Sequence, residues 1–268
     1  MSVNTSSSRD AVVAVFDVFR IELDEHNDRR ERLIKSSRDI TNLSKKAIFL
    51  LHRVMTDDAH TDDKDDSRRN VRAAARGREK LKEIQKLFAV VGTEVEGDRF
   101  WRYQKNVSPG LQEYIEALSF THYLETGKLV SYDEVQQTLS HESEDYLLGL
   151  SDLTGELMRY AISAISQQGG RTKANEVCAF VRDCKSYFDV YTTHFRELRK
   201  KQQVTTQSLE KIEDAAYAIA VRTSEYDIPP ELLDDIVARS VVSEGGGNSG
   251  RKRTREGEFD EGDLDRDQ

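Results

Sequence analysis

The stretch Asp145-Tyr-Leu-Leu-Gly-Leu-Ser-Asp-Leu-Thr-Gly-Glu-Leu-Met-Arg159 combines an apolar helical pattern with two carboxylates on one side of the helix. Asp152 and Glu156 are four residues apart, a spacing that brings side chains together on one helix face. The stretch Gly110-Leu-Gln-Glu-Tyr-Ile-Glu-Ala-Leu-Ser-Phe120 repeats the arrangement with Glu113 and Glu116, three residues apart. Both pairs lie among residues typical of a core: Leu111, Ile115, Leu118, Phe120, Leu148, Leu150, Leu153 and Leu157.

Carboxylates beside a core face are unfavourable unless they bind a cation or accept hydrogen bonds. Four of them converging from two helices would form an oxygen-rich site of the kind that holds a hard divalent ion such as Mg²⁺. The alternative is that they form ordinary helix-surface ion pairs, for example between Glu156 and Arg159. The spacing alone leaves both interpretations open.

The composition indicates an all-α protein of 268 residues. Only three prolines occur, the first glycine is Gly77, and Glu, Lys, Arg, Leu and Ala are abundant. Most of the formal charge of −9 comes from residues 57–66 and from the tail at 244–268, so the acidic total does not exclude nucleic-acid binding. Cys178 and Cys184 suit neither a zinc site nor a secreted disulfide framework, which predicts two reduced thiols.

The apolar spacing predicts a bundle of about seven helices with very long first and penultimate helices. We expect a flexible N-terminus at residues 1–10, a helical domain at 11–240 and a disordered charged tail at 241–268. The first helix is predicted near residues 8–55, and its apolar stripe begins at Val12, Phe16, Phe19 and Leu23. Residues 56–66 are predicted to form an acidic loop, and Gly92 and Gly97 to break the chain after the second helix.

Three further features place the remaining helices. Pro109-Gly110 is expected to disturb the third helix, and Ser131 with Glu134 forms a capping box for a short helix. A short last helix is predicted at residues 229–236. The helix near 193–223 carries a seam at heptad spacing, which favours packing along another helix of the same chain over a dimeric coiled coil. Its members are Phe195, Leu198, Gln202, Thr205, Leu209, Ile212, Ala216 and Ile219.

Several long motifs occur in an order that resembles the translin family. Thr41 to Arg53, within Ser37-Arg-Asp-Ile-Thr-Asn-Leu-Ser-Lys-Lys-Ala-Ile-Phe-Leu-Leu-His-Arg53, is similar to the first helix of that family. The two acidic motifs, together with Lys211-Ile-Glu-Asp-Ala-Ala-Tyr-Ala-Ile-Ala-Val-Arg222, resemble its translin-associated factor X branch. The resemblance covers roughly residues 11–239.

The resemblance implies an all-α subunit that assembles with translin into a closed hetero-oligomer enclosing RNA. It also implies Mg²⁺-dependent endoribonuclease activity on single-stranded RNA, small RNAs or tRNA fragments. The residues that match the family's catalytic and metal-binding acids are Glu113, Glu116, Asp152 and Glu156. Glu156 is either a metal ligand or the group that orients or deprotonates water. A non-catalytic helical scaffold that stabilises translin and binds RNA is the alternative function.

Basic residues supply the candidate RNA contacts, because phosphate binding needs cations on one surface. They are Arg29, Arg30, Lys35, Arg38, Arg68, Arg72, Arg196, Arg199 and Lys200, with Lys201 in the same cluster. Trp101 and Tyr103 could stack on bases, although we favour core packing for both, and we expect a structural role for His122. Arg251-Lys-Arg-Thr-Arg255 is consistent with nuclear import, so we expect cytoplasmic and nuclear localisation and no membrane association. A ferritin-like di-iron bundle is disfavoured because the chain has no Glu-x-x-His motif.

Overall fold

The computed structural model describes residues 5–57, 66–137, 143–165 and 170–226. Within these ranges the chain forms helices and no strand. The helices are α1 (Thr5–Asp57), α2 (Asp66–Glu94), α3 (Arg99–Thr126), α4 (Tyr132–Gln136), α5 (Ser143–Ile165), α6 (Gly170–Tyr191) and α7 (Arg196–Tyr226). The all-α prediction is confirmed. Most of the predicted acidic loop, the predicted helix at 229–236 and the tail from 241 lie outside the described residues.

The bundle consists of two groups of helices that meet where α3 packs against α5. Helices α1, α2 and α3 contact one another in the N-terminal half, and α5, α6 and α7 do so in the C-terminal half. Large side chains fill the interior, and Phe88, Tyr114, Phe120 and Leu157 are almost completely buried. The crossing of α3 and α5 therefore lies at the centre of the fold.

Helix α1 is 53 residues long, but its first third lies outside the bundle. We predicted that Val12, Phe16, Phe19 and Leu23 continue a core-facing stripe, and this is wrong because each is more than half exposed. Contact with the other helices begins at His26, whose Nδ1 lies 2.6 Å from the hydroxyl oxygen of Tyr103. The apolar spacing is real, but no described helix of the same chain extends far enough to cover it.

The predicted break between the second and third helices is present at Gly97, whereas the disturbance expected at Pro109-Gly110 is absent. Helix α2 continues through Gly92 to Glu94, and the chain turns at Gly97, which has a positive φ of 68°. One helical glycine costs only about 1 kcal/mol relative to alanine, and buried Phe88 and Val91 hold this part of α2 in the core. Helix α3 also runs without interruption through Pro109.

Ser37 of α1 supports α3 at Pro109. Its hydroxyl accepts a 3.0 Å hydrogen bond from the backbone N–H of Gly110 and lies 3.4 Å from the Val107 carbonyl. A Cβ on Gly110 would lie 2.7 Å from the backbone oxygen of Ser37, so the two helices approach closely. A neighbouring helix thus supplies a hydrogen-bonding side chain directly beside the proline.

Three smaller predictions are confirmed. The Ser131 hydroxyl accepts a 3.1 Å hydrogen bond from the backbone N–H of Glu134, as the capping box requires. The seam of α7 packs inside the chain against α5 and α6, and Leu198, Thr205 and Ile212 are fully buried in it. Cys178 and Cys184 are buried free thiols.

Candidate active site

The candidate site lies where α3 crosses α5. A Cβ on Gly149 of α5 would lie 2.6 Å from Cγ2 of Ile115, so only glycine permits this separation of the two helices. Asp152 and Glu156 follow Gly149 at intervals of three and four residues, which places them on the same face of α5. The crossing therefore brings the acids of α5 towards Glu113 and Glu116 of α3.

Glu116 is at the centre of this acidic cluster. Burial raises the pKa of its carboxyl to about 8, and the negative charges of Asp152, Glu156 and Glu113 contribute in the same direction. The ammonium of Lys201 acts against this rise. All four predicted acids are thus close enough to interact electrostatically, as the sequence motifs indicated.

Lysines from two other helices pair with the outer carboxylates. Nζ of Lys45 in α1 lies 3.0 Å from Oε1 of Glu113. Nζ of Lys201 in α7 donates to the carboxylate of Asp152 and also lies 3.3 Å from the backbone oxygen of Leu148. The site is therefore built from four helices, and its excess negative charge is partly compensated within the chain.

Glu156 has two cationic or hydrogen-bonding partners. Its Oε2 lies 2.6 Å from Nε2 of His52 and 3.1 Å from Nη1 of Arg159. The His52 ring also packs on Phe120, with 4.8 Å between ring centroids. The ion pair with Arg159 that we considered from the sequence is present, but it coexists with a partly buried contact to α1.

The donor set is chemically suited to a hard divalent cation. Carboxylate oxygens are the ligands that Mg²⁺ prefers, and a cation among them would offset the repulsion that acts on Glu116. Within the described ranges no three acidic or histidine side chains are gathered as a preformed metal-binding group. Lys45 pairs with Glu113, Lys201 with Asp152, and His52 and Arg159 with Glu156. These contacts would have to loosen before the carboxylates could surround a metal ion.

Comparison with known proteins identifies the family. The profile of the translin family matches residues 28–223. The chain belongs to the translin family. It is 35% identical over 263 residues to translin-associated protein X of Pongo abelii, covering 87% of this chain and 85% of the relative.

Other similarities agree with this membership. The translin-associated protein X homolog of Schizosaccharomyces pombe is 30% identical over 210 residues, covering 77% of this chain and 87% of that protein. The crystal structure of AfC3PO superposes on this translin-family chain with a TM-score of 0.60 at 22% identity, covering 77% of this chain and 97% of that one. The seven helices in the described ranges of the translin-family chain therefore adopt an arrangement already known from that crystal structure.

The predicted RNA contacts near the start of the bundle differ in exposure. Arg29 is largely buried, and it pairs with Glu25 at 2.8 Å and donates to the Glu94 carbonyl at 3.2 Å. Arg30, Lys35 and Arg38 are exposed and line an open groove on α1. Acids are interspersed among them in that groove, which gives it a mixed charge: Asp28, Glu31 and Asp39.

The other predicted RNA contacts are distributed over α2 and α7. Arg68 and Arg72 are exposed on α2, and Arg196 is exposed on α7. Arg199 donates to the Thr192 carbonyl, and Lys200 pairs with Glu197 at 2.7 Å. Lys201, which we grouped with these cations, faces Asp152 instead.

Lys45 and His52 belong to the site but were not predicted from the sequence. Both lie in the motif at residues 37–53, and their separation of seven residues places them on one face of α1. This spacing shows that the two residues share a helix face, but it does not show which helix packs against that face.

The aromatic and histidine predictions have different outcomes. Tyr103 is 3% exposed, as expected for a core residue, whereas Trp101 is 63% exposed and does not belong to the core. His122 contacts Arg78 at 3.3 Å and Glu134 at 3.6 Å, which agrees with a structural role. None of the helices in the described ranges is long and apolar enough to cross a bilayer.

Proposed function

We propose that this chain is the catalytic subunit of a Mg²⁺-dependent endoribonuclease that assembles with translin and cleaves single-stranded RNA, including small RNAs or tRNA fragments. The observation that carries the proposal is the convergence of Glu113, Glu116, Asp152 and Glu156 at one helix crossing, where three of them raise the pKa of the fourth. Structural carboxylates are seldom placed against one another in this way, and strongly shifted pKa values concentrate at functional sites.

The residues divide into ligands and a water-handling group. Glu113, Glu116 and Asp152 would hold the cation, since the charges of Glu113 and Asp152 both act on the buried carboxyl of Glu116. When bound, Mg²⁺ supplies positive charge for the phosphodiester and acidifies a water molecule. Lys45 and Lys201, released from Glu113 and Asp152, would then be available to neutralise phosphate oxygens.

Glu156 is held differently from the other acids and is the best candidate to handle the proton. Its Oε2 is oriented by His52 and Arg159, and its second oxygen, Oε1, would accept the proton of the attacking water. A general base acts through such a positioned oxygen at hydrogen-bond distance from the water. Glu156 could also complete the ligand set, and the variants described below separate these roles.

Assembly with translin is supported by the exposed part of α1. Eight large apolar side chains between residues 12 and 23 are at least half exposed, a pattern that marks a surface for another protein. They are Val12, Val13, Val15, Phe16, Val18, Phe19, Ile21 and Leu23. The name of the Pongo abelii relative, translin-associated protein X, indicates translin as the partner of a chain of this type.

We also propose that the protein acts in the cytoplasm and the nucleus. The basic segment Arg251-Lys-Arg-Thr-Arg255 supports nuclear entry. Deleting residues 251–255 and following a fluorescent fusion would test this, with exclusion from the nucleus as the expected result.

The decisive experiment measures cleavage of a labelled single-stranded RNA by the complex with translin, in Mg²⁺ and in EDTA. Glu113→Ala and Asp152→Ala should each abolish cleavage while the complex remains assembled. Glu210→Ala is the matched control, because Glu210 is an exposed acid of α7 remote from the cluster. Full cleavage by both site variants, or cleavage that persists in EDTA, would refute the proposal.

A non-catalytic scaffold remains the second candidate function. It is favoured by the pairing of the outer acids with Lys45, Lys201, His52 and Arg159, which gives these carboxylates a structural role. A scaffold predicts that the wild-type complex binds RNA without cutting it. It also predicts that the same alanine variants weaken the stability of the complex rather than its chemistry.

A further inference from the structure

A groove between α1 and α2 combines positive charge with an exposed aromatic ring. It has a volume of about 560 Å³ and is open to solvent. Four of its lining residues are cationic and one is acidic. The lining residues are Leu43, Lys45, Lys46, Phe49, Leu50, Arg53, Lys80 and Glu83, and we call this surface the basic groove.

The basic groove is continuous with the candidate active site through α1. Lys45 lines the groove and also reaches Oε1 of Glu113, at 3.0 Å. Phe49 lies one helical turn further along α1, followed within another turn by His52 at the site and Arg53 in the groove. A ligand lying in the groove would therefore reach the acidic cluster without crossing another helix.

Phe49 is an exposed aromatic residue in the packed part of α1. Its side chain is 66% exposed although α1 is packed against both α2 and α3 at this level. Lys46 precedes it by three residues and Arg53 follows it by four, so the ring lies between two cations on one helix face. An aromatic ring flanked by cations can bind a nucleobase and its neighbouring phosphates together.

Lys45 pairs with Glu113, but the other three cations of the basic groove have no strong acidic partner in the described ranges. Lys46 and Arg53 are exposed, and neither forms an ion pair with a residue in the described ranges. Lys80 pairs only with exposed Glu83, at 3.0 Å, and such surface pairs are weak. The open groove at Arg30, Lys35 and Arg38 differs, because Asp28, Glu31 and Asp39 would repel a phosphate backbone there.

We propose that the basic groove binds single-stranded RNA next to the candidate active site, with a base stacked on Phe49 and phosphates held by Lys46 and Arg53. The groove would thereby set the direction in which the strand enters the acidic cluster. Because this inference rests on the proposed function, its test must read binding separately from cleavage.

The test measures the affinity of the full chain, in complex with translin, for a fluorescent single-stranded RNA in EDTA over a range of salt concentrations. Phe49→Ala should weaken binding roughly 10-fold or more, since stacking on an aromatic ring contributes strongly per base. The salt dependence of RNA binding by Phe49→Ala should equal that of wild type, and Phe49→Tyr should bind RNA like wild type. Lys46→Glu and Arg53→Glu should weaken binding and also reduce the slope of log K against log salt by about 0.7 for each lost phosphate contact.

Matched controls come from residues of similar exposure outside the groove. Lys82→Glu replaces an exposed lysine of α2 that does not line the groove, and Tyr187→Ala removes a 70% exposed ring from α6. Both should bind RNA like wild type. Native mass spectrometry on every variant should show the same assembly with translin.

Three results would overturn the inference. The first is RNA binding by the groove variants as tight as that of wild type, and the second is an absence of single-stranded RNA binding by the wild-type complex. The third is loss of assembly in Phe49→Ala, which would make the groove a protein interface. If the wild type cleaves RNA and the groove variants bind it normally, the proposed function stands and only the role of the basic groove in RNA binding is rejected. If the groove variants bind RNA more weakly but the wild type does not cleave it, RNA binding in the basic groove is supported and the proposed nuclease activity is rejected.

Discussion

Nε2 of His52 on α1 lies 2.6 Å from Oε2 of Glu156 on α5, and both side chains are at most 14% exposed. A carboxylate has no proton to donate, so Nε2 of His52 carries the hydrogen in this contact. The ring itself is held by Phe120 of α3. The orientation of a candidate catalytic acid therefore depends on a residue from a helix that carries none of the four acids.

Replacing His52 should impair the site without removing any proposed ligand. We expect His52→Ala to reduce Mg²⁺-dependent cleavage about 10- to 100-fold, as loss of a supporting hydrogen bond does at metal sites. His52→Gln keeps an N–H donor and should retain more activity than the alanine variant. The measurement is the rate of RNA cleavage as a function of Mg²⁺ concentration, and equal rates in both variants and wild type would contradict the expectation.

Stability in the absence of metal should depend on pH through Glu116. Its folded-state pKa is raised from 4.5 to about 8, so the folded chain holds this proton more tightly than the unfolded chain does. The associated stabilisation is complete below pH 4.5 and is lost as the pH rises towards about 8.

Thermal unfolding in EDTA, followed by circular dichroism, tests this dependence. The melting temperature should fall by several degrees between pH 5 and pH 8.5, and Glu116→Gln should flatten that fall. Millimolar Mg²⁺ should restore stability at the higher pH if the acids bind the ion. An identical pH profile for wild type and Glu116→Gln would show that the carboxyl is not perturbed.

Gly149 should be intolerant of a side chain because of the helix crossing. Gly149→Ala places a Cβ 2.6 Å from Ile115, so α3 and α5 must separate. We expect a loss of about 1–3 kcal/mol in the free energy of unfolding, together with reduced cleavage. Chemical denaturation and the cleavage assay measure the two effects.

Gly155 provides the control within the same helix. A Cβ there would meet no other atom within 4 Å, so Gly155→Ala should be neutral or should stabilise the chain by about 0.5–1 kcal/mol. Equal destabilisation by the two substitutions would mean that the close approach at Gly149 is not what restricts this position.

The exposed part of α1 should be needed for assembly and not for folding. Phe16→Glu and Phe19→Glu each place a charge where an apolar side chain is more than half exposed, so a covered interface would have to bury an unpaired carboxylate. We expect unchanged helicity but loss of the complex with translin, measured by size-exclusion chromatography with light scattering. Phe16→Leu, which stays apolar, should assemble normally, and normal assembly of both glutamate variants would place the interface elsewhere.

Local residue spacing predicted most of the secondary structure and the four acids. Helical periodicity, the capping box at Ser131 and the intervals within the two acidic motifs depend on residues a few positions apart, so the sequence alone reveals them. The predicted break after the second helix lies at Gly97, and α2 continues past Gly92 because packing of its last turns outweighed a small local preference. At Pro109 the local sequence predicts a disturbed helix, but Ser37 of α1 hydrogen-bonds to Gly110 there. A local pattern does not reveal this contact between two helices.

The sequence by itself determined that the chain is helical and which acids share a helix face. The tertiary structure decided which faces meet, and therefore that Lys45, His52 and Lys201 approach Glu113, Glu156 and Asp152. It also decided that Phe16 and Phe19 are exposed although their spacing continues the apolar stripe of α1. The physical reason is that spacing sets the direction of a side chain on its own helix, whereas burial and charge pairing depend on contacts between helices distant in sequence.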